Sequence, residues 1–134
     1  MSPKKIRILF IATDTSAHVG IGLSLLNLLQ SIDKDLFEPY VLCPWPGKEE
    51  TTIIPDLEAL NIPIYTKHLD LWVHPPSNNK IKRLLNFFLT LRDRIWSIQN
   101  VIESNHIDIV YTNAITCIDG ALAAKRSHKP HIWH

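Results

Sequence analysis

Apolar and polar positions alternate between two periods along this chain, and the switches predict nine elements. Residues 6–12 form an apolar, β-rich run closed by Thr13-Asp14-Thr15-Ser16, the pattern of a central parallel strand buried on both faces. After a loop carrying Gly20 and Gly22, Ile21, Leu25, Leu28, Leu29 and Ile32 recur at helical spacing and predict an amphipathic helix. Residues 37–43 read as a second strand, closed by Pro44 and Pro46, and 54–60 as a short helix. Residues 62–65 follow as a short third strand, which Pro63 assigns to an edge or a strand start. Beyond a loop at 70–79 that contains Pro75-Pro76, Ile81, Leu84, Leu85, Phe88, Leu91, Ile95, Ile98 and Ile102 keep three-four spacing. They predict one long helix over 80–104. Residues 107–112 form a fourth strand. Thr116 and Asp119 have the spacing of a capping box before a small-residue helix around 120–124, and residues 131–134 begin a fifth strand.

The order β-α-β-α-β-α-β-α-β implies an α/β fold. It is a doubly wound, Rossmann-like parallel sheet with right-handed crossovers and helices on both faces. No repeat, linker or low-complexity segment interrupts residues 1–134. His134 falls in or just after a strand with no covering helix, so an incomplete domain of about five strands is expected.

Composition narrows the function classes. The chain has 134 residues, about one domain, with 46% apolar and 20% charged residues and a formal net charge of +1. The charge gives no pull toward nucleic acid. Cys43 and Cys117 are far apart without a CxxC partner and read as buried, reduced thiols. The opening apolar run is too short for a signal peptide or a membrane span, so a cytoplasmic protein is expected. The segment Leu84-Leu85-Asn86-Phe87-Phe88-Leu89 fits two roles. One is peripheral membrane contact at the inner face. The other, the favoured expectation, is a helix wedged between the sheet and a partner domain.

Open α/β sheets bind ligands outside the carboxyl ends of their strands, where strand order reverses. That rule selects residues 13–22, 44–47, 112–116 and His134. Gly20 and Gly22 lie where backbone can approach an anion at a helix N-terminus, or they form a plain strand-to-helix turn. His18 can donate to a phosphate or stand idle in the loop. Asp14 can orient a sugar hydroxyl or stop the strand. Thr112 and Asn113 suit hydroxyl recognition or local turn bonding. No acidic residue ends strand two, which disfavours a nicotinamide enzyme. His131 and His134, three apart on a strand, point to opposite faces and make no metal pair. Walker, HExxH and GxSxG patterns are absent from the sequence.

The chain resembles the N-terminal domain of the large retaining glycosyltransferase family of GT-B fold (family four). The resemblance covers essentially the whole length. It is carried by the opening strand and the loop His18-Val19-Gly20-Ile21-Gly22, and by the helix Leu23-Ser24-Leu25-Leu26-Asn27-Leu28-Leu29. The segment Asp56-Leu57-Glu58-Ala59-Leu60-Asn61-Ile62-Pro63-Ile64, the strand ending Tyr111-Thr112-Asn113, and Gly120-Ala121-Leu122-Ala123-Ala124-Lys125 leading to His134 complete it. Where the family often has adjacent glycines, this chain has Gly20-Ile21-Gly22.

The resemblance implies the acceptor-side half of an enzyme that transfers sugar from a nucleotide-diphosphate sugar, its substrate, without a cofactor or metal. The acceptor is a sugar or a lipid-linked molecule, and a C-terminal donor domain lies outside the chain, so the isolated chain is expected to be inactive. The resemblance also implies that Gly20 and Gly22 are phosphate-loop residues and that Asn113 and His134 face the cleft; with Asp14, His18 and Thr112 from the strand ends, these are the expected substrate-binding residues, and none is assigned a catalytic role. The alternative is a stand-alone doubly wound binding or regulatory module.

Overall fold

A computed structural model describes residues 3–18, 20–47, 51–72 and 79–134. Pro75-Pro76 of the predicted loop and Val19 of the glycine loop lie outside the described residues. Among the described residues nine elements follow in the predicted order: β1 (Ile6–Ile11), α1 (Gly20–Ser31), β2 (Phe37–Cys43), α2 (Ile54–Ala59), β3 (Ile64–Thr66), α3 (Lys80–Ser104), β4 (Ile109–Thr112), α4 (Asp119–Arg126) and β5 (His131–Trp133). The five strands form one all-parallel sheet in the order β3-β2-β1-β4-β5. This is the doubly wound, Rossmann-like arrangement. Strand β3, which follows Pro63, is an edge strand.

Strand side chains alternate faces, and each face builds its own core. Ile8, Phe10, Ala12, Val41 and Cys43 pack with Leu25, Leu26 and Leu29 of α1 and Leu57 of α2. On the opposite face Leu9, Ile11, Tyr40 and Leu42 pack with Ile95, Ile98, Val101 and Ile102 of α3 and Ala123 and Ala124 of α4. Helices α1 and α2 therefore cover one face, and α3 and α4 the other.

Four expectations shift. The buried stripe of α1 is Gly22, Leu25, Leu26 and Leu29, while Ile21 and Leu28 are exposed. Gly22 turns the stripe, because a Cβ there would lie 2.4 Å from the Ser16 carbonyl oxygen. Strand β4 starts at Ile109, not residue 107. The Ile107 N–H caps α3 by donating to the Ile102 carbonyl at 2.9 Å, and His106 turns the chain with φ 52°. Strand β3 begins after Pro63, which has no N–H to donate, although its carbonyl accepts from Val41 N–H at 2.9 Å. The predicted capping box is not formed. Ile118 occupies the N-cap of α4 without a side-chain cap, and Asp119 is the first helical residue.

The stripe of α3 also divides. Phe87, Arg94, Ile95, Ile98, Val101 and Ile102 are buried, whereas Ile81, Leu84, Leu85 and Phe88, predicted to face the core, are exposed. A helix of this length runs about 37 Å, farther than strands of three to seven residues extend, so its first turns find no sheet to cover.

Candidate functional site at the carboxyl ends of the strands

Strand order reverses between β1 and β4: the chain leaves β1 toward β2 on one side and returns to β4 on the other. The loops after these two strands face each other across the resulting crevice. Five of the seven predicted residues lie in the first loop and α1 or just after β4 at this position, and His134 joins them from the end of β5.

The β1 loop is held by local bonds. Asp14 Oδ1 accepts from Ser16 N–H at 2.7 Å, and His18 N–H donates to Ser16 Oγ at 3.3 Å. Residues 15–17 are clamped from outside. Ile53 N–H donates to the Thr15 carbonyl at 2.9 Å, Ala17 N–H donates to the Thr51 carbonyl at 2.8 Å, and Ser16 bridges Thr52. The loop thereby delivers α1 with its first turn toward the crevice, where N–H groups have no partners within the helix. The two glycines differ. Gly22 is a spacer that lets α1 lie on the Ser16 backbone, whereas an added Cβ at Gly20 would meet nothing within 4 Å. Neither glycine has positive φ, so space, not backbone conformation, sets their roles.

Asn113 joins the two sides. Its N–H extends the ladder to the Ile11 carbonyl at 3.0 Å. Its side-chain Nδ2 crosses the crevice to donate to the Ile21 carbonyl in the first turn of α1 at 3.1 Å. Its Oδ1 lies 3.2 Å from Nδ1 of His134, which donates in the tautomer protonated there. The His134 ring stacks on Tyr111 at 5.9 Å between centroids, and the His134 backbone N–H donates to the Thr112 carbonyl at 3.0 Å. The side chain of Asn113 thus positions α1 and His134 across the crevice.

Thr112 departs further from its expected role. It is fully buried, and its Oγ1 is 2.8 Å from Nε2 of His131. The hydroxyl faces α4, at the point where a Cβ on Gly120 would strike it at 2.4 Å. It fixes helix against sheet and presents nothing to the crevice. Burial holds His131 below the usual histidine range. His131 and His134 thus engage Thr112 and Asn113 separately. No group of three or more His, Cys, Asp or Glu among the described residues is placed to hold a metal. Beside this site, Cys43 at the end of β2 and Cys117 before α4 are free and buried, and desolvation pushes both thiols up to about 11.

Two tryptophans frame the β4 loop. Trp133 Nε1 donates to the Ala114 carbonyl at 3.0 Å, and Trp72 Nε1 donates to the Ile115 carbonyl at 3.1 Å. The segment after β3 is brought here by Trp72 N–H, which donates to the Thr116 carbonyl at 3.1 Å. A shallow depression lined by Lys4, Ile102, Glu103, His106, Asp108 and Lys129 lies at the amino ends of the strands, away from this crevice.

Beneath the β4 loop lies a buried ion pair that sequence reasoning missed. Arg94 Nε donates to Asp119 Oδ2 at 2.8 Å and its Nη2 to Oδ1 at 3.3 Å. Its Nη1 reaches the Phe87 carbonyl at 3.1 Å and also contacts Thr90 Oγ1. Asp70 Oδ2 stands 3.9 Å away, and the guanidinium lies over the Phe87 ring at 4.6 Å. A cation on the stripe Phe87-Leu91-Arg94-Ile98 was the available signal. Asp119 belongs to this pair and not to a cap.

Neither a protein-family model nor a curated protein matches the chain. Solved structures share its fold. MurG from Acinetobacter baumannii aligns at TM-score 0.60 and 20% identity over 96% of this chain. A glycosyltransferase from Rickettsia africae aligns at 0.59 and 17% over 96%. The chain spans 34% and 29% of the lengths of those two proteins. The C-terminal domain of PF1911 hydrogenase from Pyrococcus furiosus aligns at 0.60 and 16%, covering 97% of this chain and 92% of that one. At these identities the likeness establishes the Rossmann-like fold.

Proposed function

We propose that this chain is the acceptor-side half of a retaining, GT-B type glycosyltransferase that uses a nucleotide-diphosphate sugar. The observation that carries the reading is the Asn113 bridge, which fixes the first turn of α1 against the β1/β4 crevice. A helix N-terminus held there presents N–H groups and a positive dipole end to an anion. The open space at Gly20 lets a diphosphate approach the backbone. The order of sequence marks and the likeness to MurG and a glycosyltransferase over nearly the whole chain support the same reading.

In this reading Gly20 borders the donor diphosphate, Gly22 sets the height of α1, and His18 and His134 line the crevice. Asp14 shapes the loop. The acceptor, a sugar or a lipid-linked molecule, enters above the β4 loop. Transfer breaks the anomeric carbon–oxygen bond to the diphosphate, forms one to an acceptor hydroxyl, and releases that hydroxyl's proton. A donor domain supplied by further sequence completes the site, so the 134-residue chain alone binds donor weakly and transfers nothing. The reaction belongs on the cytoplasmic side, where nucleotide sugars are available.

The test compares wild type with Asn113→Ala in a form extended through any downstream coding sequence. Loss of the bridge raises the KM for the nucleotide sugar, while the fold, followed by circular dichroism, persists. An unchanged KM contradicts the site assignment. A second reading, a doubly wound binding or regulatory module without catalysis, draws on the PF1911 hydrogenase domain, which matches this chain almost end to end. Nucleotide-sugar binding separates the two.

A further inference from the structure

Two tryptophans from different strands' ends hold their rings at the surface beside the loop after β4. Trp72, Trp133 and Ile115 of that loop are 55%, 45% and 68% exposed. Both indoles are fixed by their edges: Trp72 Nε1 and Trp133 Nε1 donate to the carbonyls of Ile115 and Ala114, at 3.1 and 3.0 Å. Those acceptors belong to consecutive residues, whose Cα atoms stand about 3.8 Å apart, so both rings are anchored on one short stretch of backbone. Trp72 is held further by its backbone N–H on the Thr116 carbonyl at 3.1 Å, and Trp133 by its place in β5 opposite Thr112. Water can serve the N–H of an exposed indole. Two bonds to adjacent carbonyls therefore act on the rings' orientation, and rings held in this way lose little freedom when a ligand lands on them.

Charge narrows the occupant. Residues 70–72, 112–119 and 131–134, which carry the two rings and the loop, contain no Lys or Arg. A phosphate or an anionic headgroup would meet no cation from these segments. They do contribute Asp70, two residues before Trp72, whose side chain is 20% exposed. A carboxylate offers about four lone-pair sites, so Asp70 can accept from a hydroxyl while it faces Arg94. The face of an indole carries the negative part of the ring quadrupole and attracts polarised C–H groups. A pyranose ring presents such C–H groups on its faces and hydroxyls around its rim. Aromatic faces beside a hydroxyl acceptor, without cations, match a neutral sugar. A protein partner would use a broader surface, since a standard interface takes about 20–30 residues a side.

We infer that Trp72 and Trp133 form a stacking platform for pyranose rings of a neutral saccharide acceptor. The acceptor role rests on the proposed function, which it narrows from a sugar or lipid-linked molecule to a saccharide. His134 follows Trp133 directly and reaches Asn113, so a ring stacked on Trp133 adjoins the crevice. The donor diphosphate is assigned to the α1 side, and the platform is a separate surface.

Titration of the 134-residue chain with cellohexaose, maltohexaose and chitohexaose tests the platform without a donor. Tryptophan emission and the indole N–H resonances read binding. At least one of the three should bind, with no dependence on salt, and should shift the indole resonances of Trp72 and Trp133 but not that of Trp96. Trp72→Leu and Trp133→Leu keep apolar bulk and lose the ring, and each should weaken binding by about fivefold or more. Trp72→Phe and Trp133→Phe keep an aromatic face and lose only the indole N–H, and should stay within about threefold of wild type. Circular dichroism checks that each variant is folded. Binding to none of the three saccharides overturns the inference. So do indole resonances that stay in place, Leu variants that bind as wild type does, or Phe variants that lose as much as the Leu variants. In the form extended through any downstream coding sequence, Trp72→Leu should raise the KM for the saccharide acceptor and leave that for the nucleotide sugar unchanged. Transfer to a saccharide that both Leu variants leave intact would refute the platform and keep the glycosyltransferase reading. Saccharide binding without any transfer would refute that reading and keep the platform. A concentration-dependent dimer abolished by Trp133→Leu, with no saccharide bound, would assign the surface to a second copy instead.

Discussion

Replacing Asp119 by Asn would leave the Arg94 guanidinium, 2% exposed, without its principal partner. Two hydrogen bonds of 2.8 and 3.3 Å would be lost or weakened. The Phe87 carbonyl and Asp70, at 3.9 Å, remain. Removing one member of a buried pair costs about 3–5 kcal/mol, because the other charge stays desolvated. The residual partners place Asp119→Asn at the lower end. Arg94→Met should cost more, since Asp119 then keeps only the Asp70 N–H at 3.4 Å and the start of α4. With an unfolding entropy of about 0.28 kcal/mol/K for a chain of this size, the melting temperature should drop by roughly 10–18 °C. The double variant Arg94→Met/Asp119→Leu removes both charges and should be more stable than either single variant. Calorimetric melting of the four proteins closes the cycle. Single-variant losses below about 1 kcal/mol, typical of exposed pairs, or simple additivity would refute the reading of a coupled buried pair.

The two glycines of the β1 loop should separate cleanly in urea titrations. Gly22→Ala forces a Cβ against the Ser16 carbonyl and should destabilise by about 1–3 kcal/mol. Gly20→Ala enters open space and should be neutral or gain up to about 1 kcal/mol. Cys43 and Cys117, pushed up to about 11, stay protonated in the folded chain while the unfolded thiols ionise near the ordinary value. Their contribution to stability is therefore complete below about pH 8.5 and lost as pH rises toward 11, by about 2–3 kcal/mol per thiol. Melting across that range checks the sign, and both thiols should resist alkylation at pH 8 until the protein unfolds. Asn113→Ala should release the first turn of α1, seen as faster amide exchange at Ile21 and neighbouring residues with little change in the strands.

The fold was readable because each strand alternates between two cores and each crossover carries its own period. The edge position of β3 followed from Pro63, and the extent of α3 followed from its three-four spacing. What periodicity could not supply was orientation. A stripe such as Ile21-Leu25-Leu28-Leu29 is nearly indistinguishable from Gly22-Leu25-Leu26-Leu29. Only the steric demand of Ser16 on Gly22 chooses between them. In α3 the apolar spacing continues past the end of the sheet, so residues that share a stripe with the core are left outside it. The crevice was locatable from topology. The duties of its residues were not, since those of Thr112 and Asn113 depend on partners as distant as Gly120 and Ile21. The Arg94–Asp119 pair links positions 25 residues apart, and the Thr116-Asp119 spacing has a local explanation that competes with it.

The central claim is that the β1/β4 crevice is half of a sugar-transfer site. It is tested most directly by titrating uridine and guanosine diphosphate sugars into the 134-residue chain and into the chain extended through any downstream coding sequence. Calorimetry reads binding, and transfer of labelled sugar to a lipid or saccharide acceptor reads activity. The account predicts tight binding and transfer in the extended form and neither in the short one. An extended form that binds no nucleotide sugar and transfers nothing would contradict it.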